Sequence, residues 1–293
     1  MKAAVFSRTL RASEIPFIKN FIAESEKLGL TLVFEVNFYE LLKKELTLIK
    51  QYETFRTHRD FHSGIEIAIS IGGDGTFIET VSYVRSSGVP VVGINTGRLG
   101  FLADTNVNEF EKVLERISKK DFLIQKRNLI SVTTEEDFFG EDNLAFNDVA
   151  IHKDVKTSMI TVEAYLADRY INAYWADGLL VGTPTGSTAY NLSCGGPIIY
   201  PNSGVHFITP ISAHNLNVRP LIVPDNIPIT IKTKGRGNEF LLTLDSNSKM
   251  IPTGTEIILN KTDFNVNLIK FEESDFFTTI RNKLLWGIDQ RNE

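Results

Sequence analysis

Short apolar runs alternate with helical periods through the first hundred residues, and this rhythm constrains the fold more than any other feature of the chain. Lys2 to Phe6 reads as a strand. Glu14 to Leu28 sets Phe17, Ile18, Phe21, Ile22 and Leu28 on roughly one helical face and stops at Gly29. Leu30 to Val36 reads as a second strand and Phe38 to Ile49 as a second helix. The strand Ile65 to Ile71, the helix Phe77 to Arg85 and the strand Val89 to Ile94 follow. Strand and helix in alternation imply a parallel sheet covered on both faces. Ligands of such sheets collect at the C-terminal ends of strands, and two glycine-rich stretches fall there: Gly72-Gly73-Asp74-Gly75-Thr76, and Gly93 to Leu102.

Asn108, with Glu111 three residues on, resembles a helix N-terminus that closes this first domain. Beyond about Asp121 the period changes to two. Ile160, Val162, Ala164 and Leu166 alternate with polar neighbours, as do Ile227, Ile229 and Ile231, and Phe264, Val266 and Leu268. Turn clusters such as Lys234 to Asn238 and Pro252-Thr253-Gly254 separate them. The expectation is an α/β domain over residues 1–120, joined by 272–293, and a mostly-β domain over 121–271. The segment Ser274 to Gly287 is helical in pattern and docks on the first sheet.

A chain of 293 residues is long enough for two such cores, and 42% hydrophobic with 23% charged residues describes a globular protein, not a disordered one. The net charge of −5 argues against a general nucleic-acid binder. Cys194 is the only cysteine, which excludes an intramolecular disulfide. Met1 to Phe6 is too short an apolar segment for a signal peptide, and no window approaches the ~18 apolar residues of a membrane span. The expected location is the cytoplasm, with no membrane partner.

Glycines at three of four positions let a bulky anion approach backbone amides, so Gly72 to Gly75 suits phosphate. Asp74 conflicts with that use. A carboxylate repels phosphate unless it takes a proton or holds a cation; the bland alternative is a helix cap. A third stretch, Asp177 to Pro197, concentrates hydroxyls, small residues and glycines between apolar flanks, with almost no charge. Such a segment can turn a helix N-terminus and short donors onto phosphate or ribose groups.

Four blocks in order resemble the NAD kinase family: Gly72 to Gly75; Asn147-Asp148 within Leu144 to Ile151; Asp177 to Pro197; and Thr209 to His214 leading to Arg219-Pro220-Leu221. Arg281 to Gly287 is similar to that family's C-terminal signature. The GGDG loop is shared with diacylglycerol and sphingosine kinases, whereas the block around Thr183 to Tyr190 is far more specific. The resemblance implies a Rossmann-like domain and a β-sandwich, with NAD between them. It implies transfer of the terminal phosphoryl group of ATP, or of polyphosphate, to the 2'-hydroxyl of the adenosine ribose of NAD, giving NADP. Asp74 would be the general base, Gly75 would admit the ribose, and a divalent cation, most simply Mg²⁺, would neutralise charge on the transferred group. NAD would be bound by Asn147, Asp148 and Asp177, within a pocket of Thr188, Ala189, Tyr190, Asn191, Leu192 and Ser193, and by Asn247. The metal-ligating residues are not specified. A homodimer or homotetramer is implied as well.

Asp148 stands where Glu is common in that family, and Glu79 where a basic residue is common, so Glu79 receives no phosphate contact. His58 and His62 lie i,i+4 without an evident third metal ligand and read as a solvated loop. His214 takes a structural hydrogen-bonding role. Cys194 has no companion base, which argues against a nucleophile, and Lys126, Arg127 and Lys153 read as a solvated face. Two rivals remain. A lipid kinase would need an apolar acceptor pocket, against which the hydroxyls of Thr183 to Ser193 argue; a non-catalytic dinucleotide-binding module gives Asp74 no purpose.

Overall fold

The computed structural model describes residues 1–46, 50–62, 64–97, 100–154, 159–235, 237–271 and 275–287, the side chain of residue 62 excepted. Ile49, residues 98 and 99 within Gly93 to Leu102, residue 236 within Lys234 to Asn238, and residues 272–274 and 288–293 lie outside them. Two compact units divide the chain: Met1–Lys126 with Val266–Glu293, and Arg127–Asn265.

The first unit carries a sheet whose leading strands are β1 (Lys2–Phe6), β2 (Thr31–Glu35), β3 (Glu53–Phe55), β4 (Ile67–Ile71) and β5 (Val91–Asn95), in the order β3-β2-β1-β4-β5, with every pairing parallel. Helices α1 (Ile15–Lys27), α2 (Val36–Glu45), α3 (Asp74–Val84) and α4 (Phe110–Ser118) cover it. Strands β1, β2, β4 and β5 are buried on both faces, as a parallel sheet demands, while the edge strand β3 exposes Glu53 and Thr54. Val5, Ile67, Ile69, Ile71, Val92 and Ile94 pack with Phe21 of α1, Phe38 of α2 and Leu114 of α4. On the opposite face Phe6 meets Tyr83 of α3 at 5.3 Å, and Gly93 lets the Phe77 ring lie against the strand.

Val266–Lys270 was read from its alternation as part of the β domain. It belongs to the parallel sheet instead, pairing with β5, and Leu123–Arg127 lies beyond it. Alternation identifies a strand but carries no information about which sheet receives it. The cap before α4 also differs. Asn106 accepts from the Asn108 amide at 2.9 Å and a 3-10 turn precedes the helix, so the capping side chain lies two residues earlier than read.

In the second unit, among the described residues, two six-stranded antiparallel sheets enclose one core. One runs Leu221–Pro224, Val205–Ile211, Gly178–Gly182, Asp148–Lys153, Glu239–Leu244, Asn247–Pro252. The other runs Arg169–Ala176, Ile160–Leu166, Ile229–Lys234, Glu256–Lys261, Ile130–Thr134, Leu144–Ala145. Val149, Ile151, Leu179 and Val181 of the first sheet pack on Val162, Ala164, Ile231 and Leu259 of the second, which is the inward alternation of a β-sandwich. The α/β unit and the mostly-β unit are the two classes the periodicity indicated. Among the described residues no helix is long and apolar enough to cross a membrane.

Candidate active site

Asp74 is the first residue of α3, after an N-cap at Gly73 that makes no side-chain capping bond. Its carboxylate does not cap its own helix. Both oxygens turn to the second glycine-rich stretch: the Phe101 amide donates to Oδ2 at 2.8 Å, and the Leu102 and Ala103 amides donate to Oδ1 at 3.0 Å each. Asn95, at the end of β5, secures that stretch by donating to the Ala103 carbonyl at 3.2 Å and accepting from Gly97 at 2.7 Å. Three donors on one side chain fix its rotamer at the C-terminal end of β4. Gly75 is exposed beside it. Glu79, one turn on, is occupied by Arg8 at 2.6 Å.

The second unit repeats this device. Asp245, in the left-handed region at φ 52°, accepts from Phe146 at 2.7 Å on Oδ2, and from Asn147 at 2.8 Å and Asp148 at 3.2 Å on Oδ1. The Asn147-Asp148 pair is thereby held at the head of its strand. Gly186 completes the fit, because a Cβ there would lie 2.2 Å from the Asn147 carbonyl oxygen. Asn247 opens the strand after Asp245, opposite Leu244. The residue that stitches this turn to Asn147 is Asp245, not Asn247, and sequence reasoning missed it.

Asp177 is bridged by Lys153 at 2.7 Å, so Lys153 does not merely face solvent. Nor does Arg127, which is buried and reaches Thr185 Oγ1 at 3.4 Å. The hydroxyl-rich block folds into a 3-10 turn, Thr185–Thr188, and the short helix Tyr190–Ser193. Asn191 is fully buried and bonds Ser187 O, Pro197 O and Thr209 Oγ1. It shapes the block and has no amide group left for a ligand. Thr188, Ala189 and Leu192 are half-buried, while Tyr190 and Ser193 are exposed. The Tyr190 ring stacks on His152, centroids 5.9 Å apart, a histidine that nothing in the sequence singled out. His214 lies against Trp175 at 4.2 Å and donates its amide to the Trp175 carbonyl at 3.0 Å. Burial and the neighbouring Asp148 push the Cys194 thiol up, which disfavours a thiolate.

Asp148 is buried, and its carboxylate makes no hydrogen bond among the described residues. Burial first, and the Asp245 charge second, push it up to about 7. Asp245 itself is pushed up to about 6 by its withdrawal from water, against the pull of its three amides. The unfolded chain ionises such a group near the ordinary aspartate value of ~3.9. Between there and about 7 the folded state therefore binds the extra proton, and stability falls as pH rises through that window. Asp148→Asn should melt several degrees above the parent at about pH 8 and gain little at about pH 4.5, read by thermal unfolding. An equal gain at both would show that charge is not the cause. His206, pushed down to about 4 by burial, titrates there with the opposite sign, and the variant-against-parent comparison cancels it.

A carboxylate held by three amides within a glycine loop has the fixed position that a proton acceptor in phosphoryl transfer to a hydroxyl would need. Joined to a parallel-sheet unit and a β-sandwich, it places the chain among two-unit kinases with a GGDG loop. Comparison with known proteins narrows that class. The model of the ATP-NAD kinase N-terminal domain matches residues 8–122, and that of the ATP-NAD kinase C-terminal domain matches residues 146–271. The chain is 42% identical to an NAD kinase of Flavobacterium psychrophilum, over all of both chains. It is 39% identical to one of Porphyromonas gingivalis, over 98% of each. The crystal structure of yeast NADH kinase complexed with NADH matches with a TM-score of 0.88 at 22% identity, covering 100% of this chain and 89% of that one. The NAD kinase of Archaeoglobus fulgidus in complex with ATP matches at 0.76 and 23%, covering 97% and 99%. At those identities the structures establish the fold. The sequence matches go further: the chain belongs to the NAD kinase family and is a phosphotransferase.

Proposed function

We propose that this chain transfers the terminal phosphoryl group of ATP, or of inorganic polyphosphate, to the 2'-hydroxyl of the adenosine ribose of NAD. Asp74 accepts the hydroxyl proton, the ribose oxygen forms its bond to phosphorus, and the bond to the leaving phosphate breaks, releasing ADP when ATP is the donor. The observation that carries this reading is the three-amide anchorage of Asp74 in a glycine loop, which gives a proton acceptor one fixed aim. Gly75 leaves room for the ribose. Asn147, Asp148, Asp177, Asn247 and the segment Thr188 to Ser193 bind the dinucleotide, with Asn191 acting through the shape it gives that segment. Tyr190 adds an exposed ring on which a base can stack.

Among the described residues, no group of three or more His, Cys, Asp or Glu is arranged to hold a metal. Asp74 carries three amides, and Asp104 is paired with Lys270 at 2.5 Å. These residues fit a Mg²⁺ that would be held chiefly by the phosphates of the donor. When bound, the cation neutralises charge on the transferred group.

The test is purified protein with Mg²⁺, ATP or polyphosphate, and NAD, NADH or diacylglycerol as acceptor. NADP from NAD is expected; phosphorylation of the lipid alone would overturn the reading. We also infer a homodimer or homotetramer, supported by exposed Trp175, Leu216, Leu221 and Ile222 on the sandwich unit, and a monomeric mass by light scattering would refute it. The single cysteine supports a reducing, cytoplasmic location, which cell fractionation would check.

A further inference from the structure

Lys283 lies near the end of the helix Phe276–Leu284, in a stretch whose role the reaction above leaves open. Its ammonium sits 4.3 Å from the centroid of the Phe101 ring, and the Phe101 amide is the donor to Asp74 Oδ2. The side chain is half-buried. Among the described residues it forms no ion pair or hydrogen bond. Burial pushes it below the ordinary lysine range, and the charges of Asp74 and Asp104 only partly restore it.

An ammonium held partly out of water without a carboxylate partner is costly, and the neighbouring acids do not supply one. Asp74 already has its oxygens bonded by three amides, and Asp104 is taken by Lys270. Three N–H donors and a full positive charge thus stand beside the proton acceptor, available to an incoming group. That group must be anionic. A compact ammonium suits the oxygens of a phosphoryl group in flight, because its charge acts in a partly desolvated place and is already positioned when charge develops there.

We propose that Lys283 is a further catalytic residue, a cation that contacts the transferring phosphoryl group while Asp74 takes the ribose proton. This inference rests on the phosphoryl-transfer reading given above. The structural alternative is that Lys283 only packs on Phe101 and so holds the loop against Asp74. Methionine preserves that packing through its own contact with an aromatic ring and removes the charge, so it separates the two.

Lys283→Met should lower kcat on the order of 10²-fold, with NAD affinity by calorimetry within about threefold of the parent. Lys283→Arg should recover at least about a tenth of parental kcat, because it restores the charge. The parent's kcat/KM should fall on the alkaline side, below the ordinary lysine range, and the limb should be absent in Lys283→Met. Parental kcat in a folded Lys283→Met overturns the proposal. Should that variant melt early, the parent profile still decides, since no alkaline limb below the ordinary lysine range overturns it equally. Asp74→Asn, assayed in parallel, keeps the two readings apart. Full turnover in Asp74→Asn with loss in Lys283→Met removes the base and leaves the cation, and the reverse removes the cation alone.

Discussion

Asp74→Asn should bind NAD within about tenfold of the parent and turn over at least ~10²-fold more slowly. The substitution is nearly isosteric. The asparagine carbonyl can keep the bonds from Leu102 and Ala103, both of which go to Oδ1, but its amide group then meets the Phe101 N–H donor to donor. One loop bond is therefore lost along with the proposed proton acceptor, and the two losses read out differently. A loosened loop alters substrate affinity and kcat together, whereas a missing base lowers kcat at near-constant affinity. Steady-state kinetics beside calorimetric NAD binding tells them apart, and near-parental turnover would remove Asp74 from the base role.

Gly100→Ala should be almost as damaging although residue 100 carries no chemistry. A Cβ there would fall 1.8 Å from Asp74 Oδ1 and 2.6 Å from its Cγ, so the carboxylate must swing away or the loop must retreat. Either movement breaks the three-amide anchorage. With Asp74 as the proposed proton acceptor, a displacement of that size should cost on the order of 10²-fold in rate. Gly97→Ala is the matched control, because its nearest neighbour, Asn95 Oδ1, would be 3.8 Å away. If Gly100→Ala keeps parental kcat, the clamped position of Asp74 is not the reactive one.

These contacts explain why some of the site was legible in the sequence and some was not. The strand-to-helix rhythm of the first hundred residues located Asp74 at a strand end because periodicity and glycine placement are local signals. Its partners lie at positions 101–103, and no spacing rule links a carboxylate to amides that far along the chain. Asp245 was hidden for the same reason, its three amides being close to a hundred residues away. Lys153 read as solvated because its partner, Asp177, joins it only through neighbouring antiparallel strands. Arg127 read likewise, and burial of a guanidinium leaves no mark on local composition. The hydroxyl-rich block was recognisable as special, yet the division of labour within it depends on burial. Asn191 is turned inward and Tyr190 outward on the same short helix.

The strand Val266–Lys270 has a consequence for how the molecule is made. It pairs with β5 in the parallel sheet and stands between that strand and Leu123–Arg127. Nearly 140 residues of sandwich are threaded between Leu123–Arg127 and this neighbour. On the ribosome, the sheet that contains Lys2–Phe6 cannot be completed until Val266–Lys270 has been made. The sandwich, whose strands are all contiguous in synthesis, has every partner available earlier. The α/β unit thus closes after the sandwich, and until then β5, paired at Ile94 and Asn95 with Thr105–Asn106, presents an unfilled edge at its Val91 end.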